Sequence, residues 1–159
     1  MRASFWLGAA FALLFTGCSE PVDLTKGLEI LDISSGWRDA GVVNGQNKLV
    51  PSISFRMKNV SGTRLNILQV NAVFRRVSNE DEWGASFMTV AGSVGLAPGA
   101  SSTMLTLISP NGYTGSEPEQ LMIQNSQFID AKVHLSAKYG SVQLMRLAEI
   151  EVTRRLIGR

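Results

Sequence analysis

Ser52–Lys58 (SISFRMK) alternates apolar and polar side chains at every position, and this alternation decides the fold class. In an extended chain, Ile53, Phe55 and Met57 point to one side, whereas the serines and basic residues between them point to the other. A period of two residues is typical of a β-strand with one buried and one solvated face. The turn residues Asn59–Gly62 (NVSG) follow directly. The sequence therefore predicts a strand that ends in a tight turn.

The same alternation recurs along the chain. Leu68–Arg75 is predicted to form a hairpin with the first strand, and Ala131–Tyr139 is an equally regular strand. Weaker strand patterns are found at Leu28–Ile33, Trp83–Val90, Thr103–Ser109 and Val142–Thr153. The last keeps its apolar side only with a bulge near Met145–Leu147, or with Arg146 reaching solvent from a sheet edge. About seven strands at this spacing predict an all-β fold, an antiparallel immunoglobulin-like sandwich, with a small barrel as the alternative.

Two stretches break the strand pattern and are predicted to be long loops, Ser35–Gln46 and Ser109–Phe128. In the second, Ser116 is expected to cap a short helix that crosses between the sheets. Trp37 and Tyr113 lie beside glycines in these loops. They are candidate interaction residues, because an aromatic ring on a flexible loop offers rigid contact area to a partner. The alternative is that each ring folds back over the open end of the sandwich.

Composition excludes several classes of protein. The chain has 159 residues, enough for one domain with a single core. Fifteen Lys and Arg against 13 Asp and Glu give a net charge of +2, which is too small to drive binding to nucleic acid. One cysteine and one histidine exclude an internal disulfide and leave almost no ligands for a classical zinc site. We expect no metal and no cofactor.

The N-terminus has the features of a secretory leader. Arg2 precedes an apolar run, Phe5–Phe15, that is too short to cross a bilayer as a helix and is typical of a signal peptide. Thr16 and Gly17 then precede the only cysteine, Cys18. This ending resembles the bacterial lipobox, although Phe15 stands where leucine is usual. The resemblance implies that Cys18 is acylated and becomes the new N-terminus, and that the serine after it directs the protein to the outer membrane.

These features divide the chain into three parts. Residues 1–17 are predicted to be a lipoprotein signal peptide, residues 18–27 a lipidated tether, and residues 28–159 the β-sandwich domain. We expect a lipid-anchored protein on the periplasmic face of the outer membrane of a bacterial envelope, held through acylated Cys18.

The chain offers little catalytic chemistry. His134 is the only histidine, and along an extended strand Asp130 would lie about 13 Å and Ser136 about 6.6 Å from it, too far for an immediate catalytic pair. We expect His134 to be a solvated strand residue and the protein not to be an enzyme. The acidic triplet Glu80–Glu82 is predicted to be a solvated turn rather than a cation site.

Part of the chain, from Val50 to Ser109, resembles immunoglobulin-like domains of the FxLYD type. The resemblance rests on Lys58–Ser61 (KNVS) at a strand end, on the pattern Val70-x-Ala72-x-Phe74, and on Leu96–Gly99 (LAPG) before another strand. Phe74 and Arg75 replace the family's tyrosine-aspartate pair. The resemblance implies a non-catalytic extracytoplasmic module and transfers no active residues.

Two functions follow as hypotheses. The first is a lipid-anchored adaptor or accessory module that docks another envelope protein through Trp37 or Tyr113. The second is a periplasmic carrier that holds a lipid or small apolar ligand between its sheets.

Overall fold

The computed structural model describes residues 20–158, and this region is predominantly strand. Its eight strands and two short helices are α1 (Leu24–Gly27), β1 (Leu28–Val43), β2 (Gln46–Asn59), β3 (Leu68–Arg76), β4 (Glu82–Ala91), β5 (Leu105–Ile108), β6 (Tyr113–Gly115), α2 (Glu119–Gln124), β7 (Ala131–Lys138) and β8 (Met145–Glu151). Cys18 and the signal peptide lie outside the described residues.

The strands form two antiparallel sheets packed face to face. The first has the order β1-β2-β5, with β6 also paired to β2, and the second has the order β4-β3-β7-β8. The apolar side chains of the alternating segments fill the space between the sheets; they include Ile53, Phe55 and Met57 of β2, Val70, Ala72 and Phe74 of β3, and Val133, Leu135 and Ala137 of β7. The predicted all-β, immunoglobulin-like sandwich is confirmed.

The predicted hairpin between β2 and β3 is wrong, because the two strands belong to different sheets. β2 pairs with β1 and β5, whereas β3 pairs with β4 and β7. The NVSG segment therefore begins a crossing between sheets. The buried Asn59 stabilises this crossing, since its side-chain amide donates hydrogen bonds to the carbonyls of Thr63 and Leu96, both at 2.8 Å.

The stretch Ser35–Gln46 is also not a loop. β1 continues through it to Val43, and a tight turn at Asn44 and Gly45, with φ of 51° and 76°, leads into β2. Positive φ at both central residues is the geometry that suits a two-residue hairpin. Breaks in the pairing near Asp32 and Gly41, where φ is again positive, mark irregularities in β1.

Two finer predictions have different outcomes. The bulge expected near Met145–Leu147 is confirmed: Ala148 pairs with Leu135 and Arg146 with Ser136, so Leu147 has no partner on β7. The crossing helix α2 exists, but it begins after Pro118 rather than at Ser116, and Pro118 offers no side-chain cap. Proline restricts the preceding residue to extended conformations, which keeps the helix from beginning earlier.

The two ends of the sandwich are named by the direction of β1. We call the end where β1 begins the entry end, and the end where β1 finishes the distal end. The 16 residues of β1 correspond to about 50 Å of extended chain. Residues 24–27, which the sequence assigned to the tether, form α1, and Leu24 is buried in the core at the entry end. Within residues 20–158, no helix is both long and apolar enough to cross a bilayer.

Candidate functional site

A second, smaller core lies at the distal end and contains four aromatic rings. Trp37 meets Phe128 edge-on with ring centroids 4.5 Å apart, and Trp83 lies 5.9 Å from Trp37. Tyr113 lies 4.9 Å from Phe128 at a tilt of 57°. Tilted and edge-on pairs at these distances are the favourable arrangements of aromatic rings. The distal end is thus closed by a packed aromatic cluster, defined by Trp37, Trp83, Tyr113 and Phe128.

Trp37 is the most enclosed member of this cluster and has no exposed surface. Its backbone also forms hydrogen bonds with the C-terminal tail. The amide of Trp37 donates to the carbonyl of Arg155 at 2.8 Å, and the amide of Ile157 donates to the carbonyl of Trp37 at 2.9 Å. Trp37 therefore adopts the folded-back alternative. A partner cannot touch the buried indole directly. The prediction that Trp37 is a surface contact is therefore corrected: its ring supports the aromatic cluster from inside.

Tyr113 is half-buried and keeps an accessible side. β6 holds it, because Tyr113 pairs with Leu49 of β2 while its ring leans on Phe128. The preceding Gly112 passes so close to β2 that a Cβ there would stand 1.9 Å from the carbonyl oxygen of Leu49. The glycine thus serves close backbone approach, and Tyr113 sits on a fixed strand rather than on a flexible loop.

Two arginines flank the aromatic cluster. The guanidinium of Arg76 lies 5.3 Å from the centroid of Trp83, and that of Arg154 lies 5.4 Å from the centroid of Phe128. Both distances are within the range of cation–π attraction. Arg154 also binds Asp130 through two hydrogen bonds of 2.5 and 2.7 Å, and this contact raises the pKa of Arg154 above its ordinary value.

The distal end also carries exposed apolar side chains. Val42 and Val43 at the tip of the β1–β2 hairpin are exposed, as is Leu121 of α2. The side-chain amide of Asn47, which pairs with Val42, donates to the carbonyl of Glu117 just before α2. The hairpin tip and α2 are therefore linked. We call Val42, Val43, Tyr113 and Leu121 the distal surface.

Two clefts open beside this surface. One, of about 200 Å³, is lined by Asp39, Glu119, Leu156, Ile157 and Gly158. The other, of about 320 Å³, lies along Asp130 and Arg154. Both are open to solvent, and both have carboxylates in their lining.

His134 is not solvated as expected but buried on the outer face of the second sheet, between Val73 and Glu149. Its Nε2 lies 2.6 Å from Glu149 Oε2, and Arg146 and Lys132 approach the same carboxylate at 2.5 and 4.0 Å. Cross-strand pairing explains this burial, because neighbouring strands on both sides cover the ring. Glu149 thus forms ion pairs with Arg146 and Lys132 and lies within hydrogen-bond distance of His134.

The acidic triplet is exposed, and its first member joins these ion pairs. Glu80 lies 2.5 Å from Lys132, and the hydrogen bond from Lys132 lowers the pKa of the Glu80 carboxyl below its ordinary value. Within residues 20–158, no three His, Cys, Asp or Glu side chains come together in a way that could hold a metal ion.

Comparison with known proteins shows no family. No family model matches the chain, and no curated protein matches it in sequence. Among solved structures, the X-ray structure of a structural-genomics target, SoR45, has 11% identity and a TM-score of 0.42, covering 81% of this chain and 88% of its own. The ligand-binding region of serine-glutamate repeat protein A of Enterococcus faecium has 13% identity and a TM-score of 0.31, covering 80% of this chain and 99% of its own.

Proposed function

We propose that this protein is a lipid-anchored envelope protein, held by acylated Cys18 on the periplasmic face of the outer membrane, whose sandwich acts as a non-catalytic adaptor. Its partner is another envelope protein, bound at the distal surface. The alternative of a carrier gains no support from the space between the sheets, because side chains without exposed surface, such as Phe55, Phe74 and Leu107, fill it.

The observation that carries this proposal is the placement of the distal surface. The described chain starts at the entry end, whereas the exposed valines of the hairpin tip lie at the opposite end of β1. A tether at the entry end would leave the distal surface free to meet a partner. Tyr113 supplies an aromatic ring of the kind that often dominates the binding energy of a protein interface, and Leu121 adds exposed apolar area.

The rigid support beneath the surface also favours docking. The ring of Tyr113 packs on the buried Phe128, which in turn packs on Trp37, so the tyrosine ring has few conformations to lose when a partner binds. A pre-organised contact residue contributes more of its contact energy to affinity.

Crosslinking in intact envelopes, followed by affinity purification, tests the proposal. We expect one stoichiometric protein partner, with recovery strongly reduced by Tyr113→Ala and by Leu121→Asp. Phe87→Asp is the matched control, because Phe87 is 55% exposed and Leu121 53% exposed, yet Phe87 lies on the outer face of the second sheet. Equal recovery from all variants, or no partner at all, would contradict the adaptor role.

The anchor has its own test. Radiolabelled palmitate should be incorporated into the native chain and not into Cys18→Ser. If both chains remain unlabelled, the lipid anchor is wrong.

A further inference from the structure

The entry end displays apolar side chains that the core does not use. Val94 is 79% exposed, the highest value among the large hydrophobic residues of the described region, and Val60, Ile67 and Leu144 are also exposed. All four lie in connections at this end: Val60 and Ile67 between β2 and β3, Val94 between β4 and β5, and Leu144 between β7 and β8. We call these four residues the entry face.

Hydrogen bonds fix the loops that carry the entry face. Leu65 and Leu96 exchange two backbone hydrogen bonds of 3.0 and 2.9 Å, and both side chains are buried beneath the loops. Val94 is a central residue of a β-turn closed by the bond from the Gly95 amide to the Gly92 carbonyl at 3.0 Å. Hydrogen bonds and buried leucines therefore hold these loops in place, so the fold itself keeps the apolar side chains exposed.

The chain enters the domain at this same face. The amide of Val22 donates to the hydroxyl of Tyr139 at 2.6 Å, and Tyr139 begins the β7–β8 connection that carries Leu144. Only three residues separate Val22 from Cys18. Four extended residue spacings reach at most about 14 Å, so an acyl group on Cys18 would keep Val22, at the entry end, within about that distance of the bilayer.

We propose that the entry face is a membrane-docking surface that rests on the phospholipid headgroups of the bilayer holding Cys18. This inference rests on the proposed lipid anchor. The short tether makes the contact intramolecular, so a few apolar side chains are enough to favour the docked orientation. Docking would point the distal surface away from the membrane.

The charges at this end are compatible with such a contact. Arg64 donates to the carbonyl of Val94 at 3.1 Å and is exposed beside it, which places a cation next to the most exposed apolar side chain. Lys26 is exposed as well, and its Nζ lies 3.8 Å from Oδ2 of Asp23. Because Glu20 and Glu29 are also exposed at this end, the charge is mixed and the apolar side chains carry the contact.

The experiment uses the full-length, lipidated protein in vesicles of phosphatidylethanolamine and phosphatidylglycerol that contain brominated acyl chains. Acylation occupies the only native cysteine, so Val94→Cys and Val42→Cys each add a single free thiol for a fluorescent label. Val42 is the matched control, because it is a valine with 67% exposure at the distal end. We expect bromine to quench the label at position 94 several-fold more than the label at position 42.

Leu144→Cys gives a second position on the entry face and should be quenched like position 94, whereas Phe87→Cys on the side of the sandwich should not. Palmitate incorporation is measured on the same samples. Equal quenching at positions 94, 144 and 42 in palmitoylated protein would overturn membrane docking and leave the anchor intact. Samples without palmitate would overturn the anchor itself, and membrane docking with it.

Discussion

The edge-on contact between Trp37 and Phe128, with centroids 4.5 Å apart, joins β1 to the segment that leads into β7. One ring belongs to the first sheet and the other precedes a strand of the second, so the pair connects the two sheets at the distal end. The distal surface depends on this connection, because the ring of Tyr113 packs on Phe128.

Trp37→Ala should therefore destabilise the protein strongly. Removing a fully buried tryptophan leaves a cavity, and the expected loss in the free energy of unfolding is about 3–5 kcal/mol. Urea denaturation of the full chain in detergent measures it. Phe87→Ala is the control, with an expected change within about 0.5 kcal/mol because its ring is exposed. Similar losses for both variants would mean that Trp37 contributes no more to the free energy of unfolding than an exposed ring does.

Gly112→Ala should destabilise the protein, whereas Gly92→Ala should not. The added methyl group at position 112 would meet the Leu49 carbonyl oxygen and force β6 away from β2, at a cost of about 1–3 kcal/mol. At position 92, no atom lies within 4 Å of the added Cβ. Thermal unfolding of the two variants provides the comparison, and a Gly112→Ala variant as stable as the native chain would refute the close approach.

Arg154 and Asp130 should show a small, salt-sensitive coupling. Both side chains are partly exposed, so a double-mutant cycle with Arg154→Met and Asp130→Asn should give about 0.2–1 kcal/mol. Arg154→Met should cost more than Asp130→Asn, because Arg154 also donates to the carbonyls of Asn125 and Phe128. The coupling should shrink in high salt, which screens exposed charges. A coupling that is unchanged by salt would argue against an exposed ion pair.

The carboxyl of Glu80 should titrate below its ordinary pKa of 4.5, because Lys132 donates a hydrogen bond to its charged form. A lowered pKa in the folded state stabilises the fold above the ordinary value, and this contribution is lost as pH falls through the folded pKa. Lys132→Met should raise the pKa of Glu80, as followed by NMR titration of its side chain. Lys138→Met on the same strand is the control and should leave the pKa of Glu80 unchanged.

Local alternation was enough to predict β2, β3 and β7, because a period of two residues depends only on which face of a strand is buried. The break in the alternation of β8 was visible for the same reason, but the sequence left a bulge and an arginine at a sheet edge as alternatives, and the structure has the bulge. The alternation could not reveal which sheet each strand joins. That choice depends on long-range pairings such as Val70 with Ala137, and on the amide of Asn59, which binds two separate loops.

The distal end was harder to predict because its contacts are remote in sequence. Gly36 indicated a loop in the sequence, yet it lies within β1, where a Cβ would stand 2.9 Å from the carbonyl oxygen of Arg155. Trp37 was predicted to be a surface contact, but its ring is buried, because it packs on Phe128 and the C-terminal tail pairs with its backbone. Ser116 was predicted as the helix cap with Pro118 in the first turn, but α2 begins after Pro118, because proline disfavours a helical conformation of the residue before it.

The parallel bridge between Trp37 and Leu156 has a consequence for solubility. β1 is an edge strand, and a bare edge of that length can pair with the same edge of another copy. Residues 155–157 pair with the backbone of Trp37 in the middle of β1 and cover that part of its edge. Proteolytic loss of these residues would uncover the edge and favour aggregation, so trimming the C-terminus is a poor strategy for crystallisation.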